Sequence, residues 1–110
     1  MNLPKTSLAF LDATEPLRKR APVRDEDGTI LSDFMVLFPG LRDMPGQLRR
    51  RRLRDIQATL ACFPDGIVFA ELNLQLNLLW VSIRPKAGLR NEIAWALQDR
   101  VPEAKLITHI

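Results

Sequence analysis

The 110-residue chain contains few of the residue types from which catalytic and metal sites are most often built. It has one cysteine, one histidine and no tyrosine. A single cysteine excludes an internal disulfide and agrees with a reducing compartment without requiring one. The loop before the first predicted helix holds no cysteine pair, so a soft-metal site is not expected. The sequence carries no catalytic or metal motif, and we expect neither a metal ion nor a cofactor.

The lone cysteine and the lone histidine both have structural explanations. Cys62 lies near the end of the first predicted helix, where we expect a small packed hydrophobic residue. His109 lies on the last predicted strand, where an exposed or capping role is expected rather than that of a catalytic base.

Long apolar runs are also lacking. No stretch approaches the roughly 18 apolar residues that a membrane span needs. The segment from Met1 to Asp12 holds a single lysine and only a short apolar patch, so it does not have the pattern of a secretory signal. We therefore expect a cytoplasmic protein with no membrane span.

Charge of one sign dominates only locally. The net charge is +3, from 16 basic and 13 acidic residues, and the one concentration is the arginine run Arg49–Arg54. On a helix, Arg50, Arg51 and Arg54 would point outward as an anion patch for nucleic acid, phosphate or acidic lipid. The alternative is a solvated helix face. Because the helices should lie on the side of the sheet away from its aromatic residues, we do not expect nucleic acid as the main partner.

The chain divides into two segments of different composition. Residues 1–30 hold Pro4, Pro16 and Pro22 and clusters of both charges, which is typical of a flexible or loosely packed N-terminal arm. Residues 31–110 carry the apolar pattern of a single folded domain.

The apolar pattern of the second segment predicts the order strand, helix, strand, strand, helix, strand. The expected bounds are Leu31–Phe38, a helix opening at Pro45, Ile67–Asn73, Leu76–Ile83, about Gly88–Val101 and Ala104–Ile110. This is the α+β ferredoxin-like βαββαβ sandwich, a four-stranded antiparallel sheet with two helices on one face. The first and third strands are the most apolar, which fits their central positions in such a sheet.

The turn between the second and third strands has no Asn-Gly or Asp-Gly signal, so its register is not obvious. A two-residue turn at Leu74–Gln75 gives a coherent sheet, in which Phe69 lies opposite Trp80. That register places Val68 on the face that meets the helices and Ile67 on the other face.

The sheet face away from the helices should carry Phe69, Leu78 and Trp80 in one apolar patch. Contiguous exposed patches of this kind mark interfaces, and the commonest solution is a symmetric homodimer. The alternative is that the N-terminal arm covers the patch.

Glu71 is an unusual charged residue on that otherwise apolar face. Two interpretations are open. It is either a buried carboxylate acting as a base in a pocket between two sheet faces, or a solvated edge-strand charge that discourages aggregation. We favour the second, so enzyme activity is not expected.

The turn before the first predicted helix has the sequence Asp43-x-Pro45-Gly46-x-Leu48. Between a strand and a helix, this motif resembles the opening of an ACT domain, although the arginines that follow depart from that family's apolar spacing. The resemblance covers residues 33–110 in element order but only six residues as a motif. It implies that Asp43, Pro45 and Gly46 bind an amino acid or another small metabolite at a dimer interface. Plain capping of the helix is the alternative.

These patterns predict a non-catalytic regulatory or binding module that senses a small ligand or docks a partner protein, as a homodimer. Two other functions stay open. One is peptide capture at a sheet edge by an interaction or maturation factor, and the other is weak nucleic-acid binding through the Arg49–Arg54 helix.

Overall fold

The predicted order of strands and helices is confirmed by a computed structural model, which describes residue 24 and residues 28–107. The strands are β1 (Ser32–Leu37), β2 (Ile67–Asn73), β3 (Leu78–Ile83) and β4 (Lys105–Ile107), and the helices are α1 (Gly46–Leu60) and α2 (Leu89–Arg100). The four strands form one antiparallel sheet in the order β2-β3-β1-β4. The fold is thus the ferredoxin-like βαββαβ arrangement.

β1 and β3 lie at the centre of the sheet, as their apolar composition predicted. Phe34 on β1 lies opposite Val81 on β3, and both are buried. The helices contribute the following side chains to the same core: Ile56, Leu60, Leu89, Ile93 and Leu97. Residues three and four apart share one side of a helix, so these spacings explain which sides of α1 and α2 are buried.

The start of α1 lies one residue later than predicted. Pro45 is the N-cap rather than the first helical residue, with φ −52° and ψ 143°. Its carbonyl accepts the first helical hydrogen bond, from Arg49 N at 2.9 Å, while its own backbone stays extended. Asp43 precedes the cap, and the first turn of the helix contains no acidic residue.

The register of the β2–β3 hairpin differs from the predicted one by two residues. Glu71 pairs with Trp80, and Phe69 pairs with Ser82 rather than with Trp80. The turn is formed by Leu74–Asn77 instead of by two residues. Because side chains alternate with a period of two, a shift of two residues keeps the side chains of β3 on their predicted faces.

A bulge in β2 exchanges the predicted sheet faces of two residues. Ile67 pairs with Ile83 while Phe69 pairs with the adjacent Ser82, so Val68 is inserted between the two pairs. An inserted residue reverses the alternation on its far side. Ile67 therefore belongs to the main core cluster, and Val68 is buried outside it, the reverse of the prediction.

Asn77 closes the four-residue turn. Its φ of 56° lies in the left-handed region, which asparagine tolerates better than most residues other than glycine. Its backbone N–H donates to Leu74 O at 3.2 Å, and its carbonyl accepts from Phe38 N at 2.8 Å. Its side-chain Oδ1 accepts from Arg42 N at 2.7 Å. One residue thus shapes the hairpin and ties it to the loop between β1 and α1.

Cys62 is exposed, so the prediction of a packed hydrophobic residue was wrong. The physical reason is that α1 ends at Leu60, and Cys62 lies in the turn that follows. Its Sγ donates to Ala58 O at 3.4 Å, back along the helix.

Residues at both ends of the chain lie outside the described part of the structure. The residues that are not described include His109 and most of the predicted N-terminal arm. Within the described part, Arg24 forms an isolated bridge with Ile30, and its Nη1 donates to Gly28 O at 2.9 Å. Gly28 has φ +82°, a left-handed conformation that glycine adopts without strain.

Replacing Asn77 should separate its conformational role from its hydrogen bond. Asn77→Ala puts alanine into the left-handed region and removes the acceptor, so we expect unfolding free energy to fall by about 2–3 kcal/mol. Asn77→Gly removes only the acceptor and should cost about 1 kcal/mol. Asn77→Asp keeps both features and serves as the control. Urea unfolding followed by circular dichroism gives the three values, and an alanine variant as stable as the parent chain would contradict this role.

Candidate functional site

The predicted ligand residues lie in the loop between β1 and α1, next to the β2–β3 turn. The hairpin holds this loop through the Asn77 Oδ1 contact to Arg42 N at 2.7 Å, and Arg42 Nη1 in turn donates to Gln75 O at 3.4 Å. The helix holds it through Arg49, whose Nη1 donates to the carbonyls of Arg42 at 2.9 Å and Met44 at 3.3 Å. The loop is therefore braced from both neighbouring elements.

The first turn of α1 has backbone donors that no side chain caps. Pro45 provides no side-chain cap. Within the described residues, the first helical N–H with an acceptor is that of Arg49. The N–H groups of Gly46, Gln47 and Leu48 therefore remain available at the start of the helix. Such a group of donors, together with the helix dipole, favours a small anion.

Gly46 leaves open the space beside these donors. Its φ is outside the left-handed region, so its backbone conformation does not require glycine. A β-carbon there would lie 3.5 Å from Arg50 Nη1, an ordinary van der Waals distance. The guanidinium of Arg50 thus adds positive charge at the start of the helix. Asp43 has a side chain 74% exposed and lies 3.4 Å from Arg42 Nε, so it does not cap the helix.

The three predicted interface residues share the sheet face away from the helices. Phe69, Leu78 and Trp80 are all half-buried, so the structure brings them together without leaving them fully exposed. Trp80 Nε1 is buried and finds no hydrogen-bond acceptor among the described residues. An unpaired buried donor of this kind costs about 1–3 kcal/mol.

Glu71 is buried on this same face instead of being solvated. It is 2% exposed, and it lies opposite Trp80. β2 is an edge strand as predicted, but the interpretation of Glu71 as a solvated edge charge is wrong. Ser82 is buried as well. Arg84 follows β3, and its Nη1 donates to Asp65 O at 2.6 Å. A base in a pocket between two sheet faces would require a buried Glu71, but burial does not by itself supply a substrate site.

The arginine run divides into structural and solvent-facing members. Arg49 braces the loop, and Arg52 pairs with Glu103 through Nη2 and Oε1 at 3.0 Å, with both side chains partly buried. The other three are exposed: Arg50, Arg51 and Arg54. In the part of the chain that the structure describes, none of those three forms an ion pair or a side-chain hydrogen bond.

The sequence patterns did not identify Trp95 as a candidate functional residue. Trp95 on α2 is 68% exposed, whereas Ile93 and Leu97 are fully buried. Two residues along a helix correspond to a rotation of about 200°, so Trp95 points away from the core. The apolar residues that face the core from α2 recur at three- and four-residue spacing. Trp95 does not fit this spacing, so its exposure could have been predicted from the sequence. The packing of α1 against α2 places Trp95 on the same outer layer as the exposed arginines.

Two surface hollows lie at the other end of the sheet, where β3 leads into α2. One has a volume of about 310 Å³ and includes Ser32, Lys86, Arg90 and Asn91 in its lining. The other has a volume of about 260 Å³ and includes Asp65, Arg84 and Glu92. None of the predicted ligand, anion-patch or interface residues lines either hollow.

Two classes of site are not found in the described part of the chain. No group of three or more His, Cys, Asp or Glu residues within residues 24 and 28–107 is placed to hold a metal ion. No helix among those residues is long and apolar enough to cross a membrane.

Comparison with family models, with curated proteins and with solved structures gave no match to this chain. The assignment of the fold therefore rests on the strand order and on the placement of the two helices. The resemblance to ACT domains stays a prediction.

Proposed function

We propose that this chain is a non-catalytic regulatory module that binds a small anionic metabolite at the start of α1 and works as a homodimer. The observation that carries the proposal is the uncapped start of α1, presented by a loop that Asn77 and Arg49 brace from two sides. The resemblance to ACT domains implies a ligand at this same place.

A carboxylate fits this position for three reasons. The backbone N–H groups of Gly46 and Gln47 are donors without a protein acceptor among the described residues, and the helix dipole adds about half a positive charge at this end. The Arg50 guanidinium lies beside Gly46. Glycine also lets a ligand approach the backbone closely.

Asp43 suits the other end of an amino acid. Its carboxylate is exposed, and its contact with Arg42 is an exposed ion pair of 3.4 Å. Such exposed pairs contribute little to stability, so another cation can replace Arg42 as the partner of Asp43. A ligand that carries both a carboxylate and an ammonium group could therefore contact the helix start and Asp43 together.

The homodimer is proposed for the sheet face. Half-buried apolar side chains on this face border the unpaired indole N–H of Trp80. A two-fold axis would bring the same surface of a second copy against it, which would extend the burial of these half-buried side chains.

Peptide capture at the edge of β2 is the second candidate. Among the described strands, β2 pairs only with β3, so its outer edge is open to strand addition. The bulge at Ile67–Phe69 interrupts that edge, and bulges are a common protection against strand addition. This geometry supports edge pairing less well than ligand binding at α1.

A ligand at the start of α1 should be detected by thermal shift with a panel of amino acids and small carboxylates. At about a hundredfold excess over Kd, a ligand adds about 2.7 kcal/mol, which is roughly 10 °C for a domain of this size. Gly46→Leu should abolish the shift by filling the space beside Arg50. Gly46→Ala is the control for folding, because its β-carbon meets no closer neighbour than Arg50 Nη1 at 3.5 Å. No shift with the whole panel, or an unchanged shift in Gly46→Leu, would contradict the site.

The homodimer should be visible in light scattering as a particle of twice the chain mass of 12.5 kDa. Leu78→Lys puts a charge on the sheet face and should give a monomer with unchanged circular dichroism. Leu76→Lys is the matched control, because Leu76 is 59% exposed in the hairpin turn and should not affect assembly. A monomeric parent chain would exclude the dimer and favour coverage of the face by residues 1–30.

A further inference from the structure

The outer side of the helix layer combines exposed cations with an exposed aromatic ring. Arg51 and Arg54 on α1 are exposed, and Trp95 on α2 is 68% exposed. We name these three residues the outer helix face. None of them belongs to the core cluster, so core packing does not account for their positions.

Other arginines of the same run make contacts within the domain, so an unpaired guanidinium group is not common to all members of the run. Arg49 donates to two loop carbonyls, and Arg52 pairs with Glu103 at 3.0 Å. Arg51 and Arg54 make no comparable contact within the described residues. Their charges are therefore available to an anion outside the chain.

The two halves of the outer helix face lie on neighbouring helices. α1 and α2 pack side by side on the sheet, and packed helices have axes about 8–10 Å apart. The Arg52–Glu103 ion pair joins the middle of α1 to a residue just beyond the end of α2. A chain molecule that follows α1 past Arg51 and Arg54 therefore passes within reach of Trp95.

We propose that the outer helix face binds single-stranded nucleic acid, with Arg51 and Arg54 contacting phosphates and Trp95 stacking on one base. Phosphate contacts supply affinity that depends on salt. Stacking on a protein ring needs an unstacked base, which single strands offer. The sequence argument against nucleic acid was that the sheet aromatics lie away from the arginines, and Trp95 removes that objection.

Two acidic residues limit where the backbone of such a strand can lie. Glu92 and Asp99 are exposed, about one turn before and after Trp95 on α2. Their carboxylates repel phosphates, so the backbone follows α1 and only a base reaches Trp95. They also disfavour an anionic membrane surface, because that surface would bring both carboxylates against negative headgroups.

The test is fluorescence anisotropy with the full chain and a labelled mixed-sequence RNA single strand, at roughly 50 to 200 mM salt. Arg51→Gln with Arg54→Gln should weaken binding at low salt about tenfold or more, and lower the log–log salt slope by about 1.4 for two lost phosphate contacts. Trp95→Ala should weaken binding by about tenfold without changing the slope, while Trp95→Phe keeps most of the affinity.

Two further variants make this result specific. Arg90→Gln with Arg100→Gln removes the same charge from exposed positions on α2 outside the outer helix face, and it should have a much smaller effect. Asp99→Asn should tighten binding, which a folding defect cannot imitate. Arg50 is left unchanged because it lies beside Gly46, so this proposal and the metabolite site can fail separately.

Four results would overturn the proposal: no binding, binding that does not depend on salt, an equal loss in the Arg90 and Arg100 control, or binding to phosphatidylserine vesicles without binding to the RNA. A fully paired duplex of the same sequence should bind more weakly than the single strand, because it offers no unstacked base to Trp95. Equal affinity for the duplex would exclude the stacking role.

Discussion

The antiparallel pairing of β1 with β3 is the constraint on which the rest of this domain depends. Each of these strands leads into a helix, so their pairing at the centre of the sheet brings α1 and α2 to the same face. Side chains such as Phe34 and Leu79 are then buried beneath the helices, where burial of apolar area supplies most of the stabilisation. The same pairing leaves the domain with two separate surfaces, an aromatic sheet face and a basic helix layer. The second copy proposed for the sheet face and the nucleic acid proposed for the helix layer therefore bind on opposite sides of the domain.

Charge in this chain serves the fold as well as its surface. Five arginines within six positions would repel one another on an isolated helix, but two of them are drawn into local structure. Arg49 satisfies carbonyls of the β1–α1 loop, and Arg52 is neutralised by Glu103. Arg49 and Asn77 hold the backbone before α1 in place. The N–H group of Gly46 is therefore positioned without a side-chain cap. An uncapped helix start leaves its first N–H groups to solvent or to a ligand.

Periodicity predicted the elements well and the register poorly. The four-residue spacing of Ile56 and Leu60 identifies the buried side of α1, because helix geometry is local. The hairpin register depended on Asn77, whose left-handed φ permits a longer turn that no Asn-Gly or Asp-Gly pair announces. The bulge at Val68 is equally invisible in an alternating apolar pattern, because every residue around it is apolar. The predicted faces of β3 survived only because the error in register was an even number of residues.

The sequence by itself determined the order of the elements, the central positions of β1 and β3, and the sides of the helices that are buried. These properties follow from hydrophobic periodicity and from turn residues, which act over a few positions. Only the tertiary structure decided which arginines are available and where Glu71 lies. Arg52 loses its availability to Glu103, some fifty positions later in the chain, and Glu71 is buried at an edge where a solvated charge was expected. Partners that are distant in sequence set the environment of a side chain, and that environment appears only when the chain is folded.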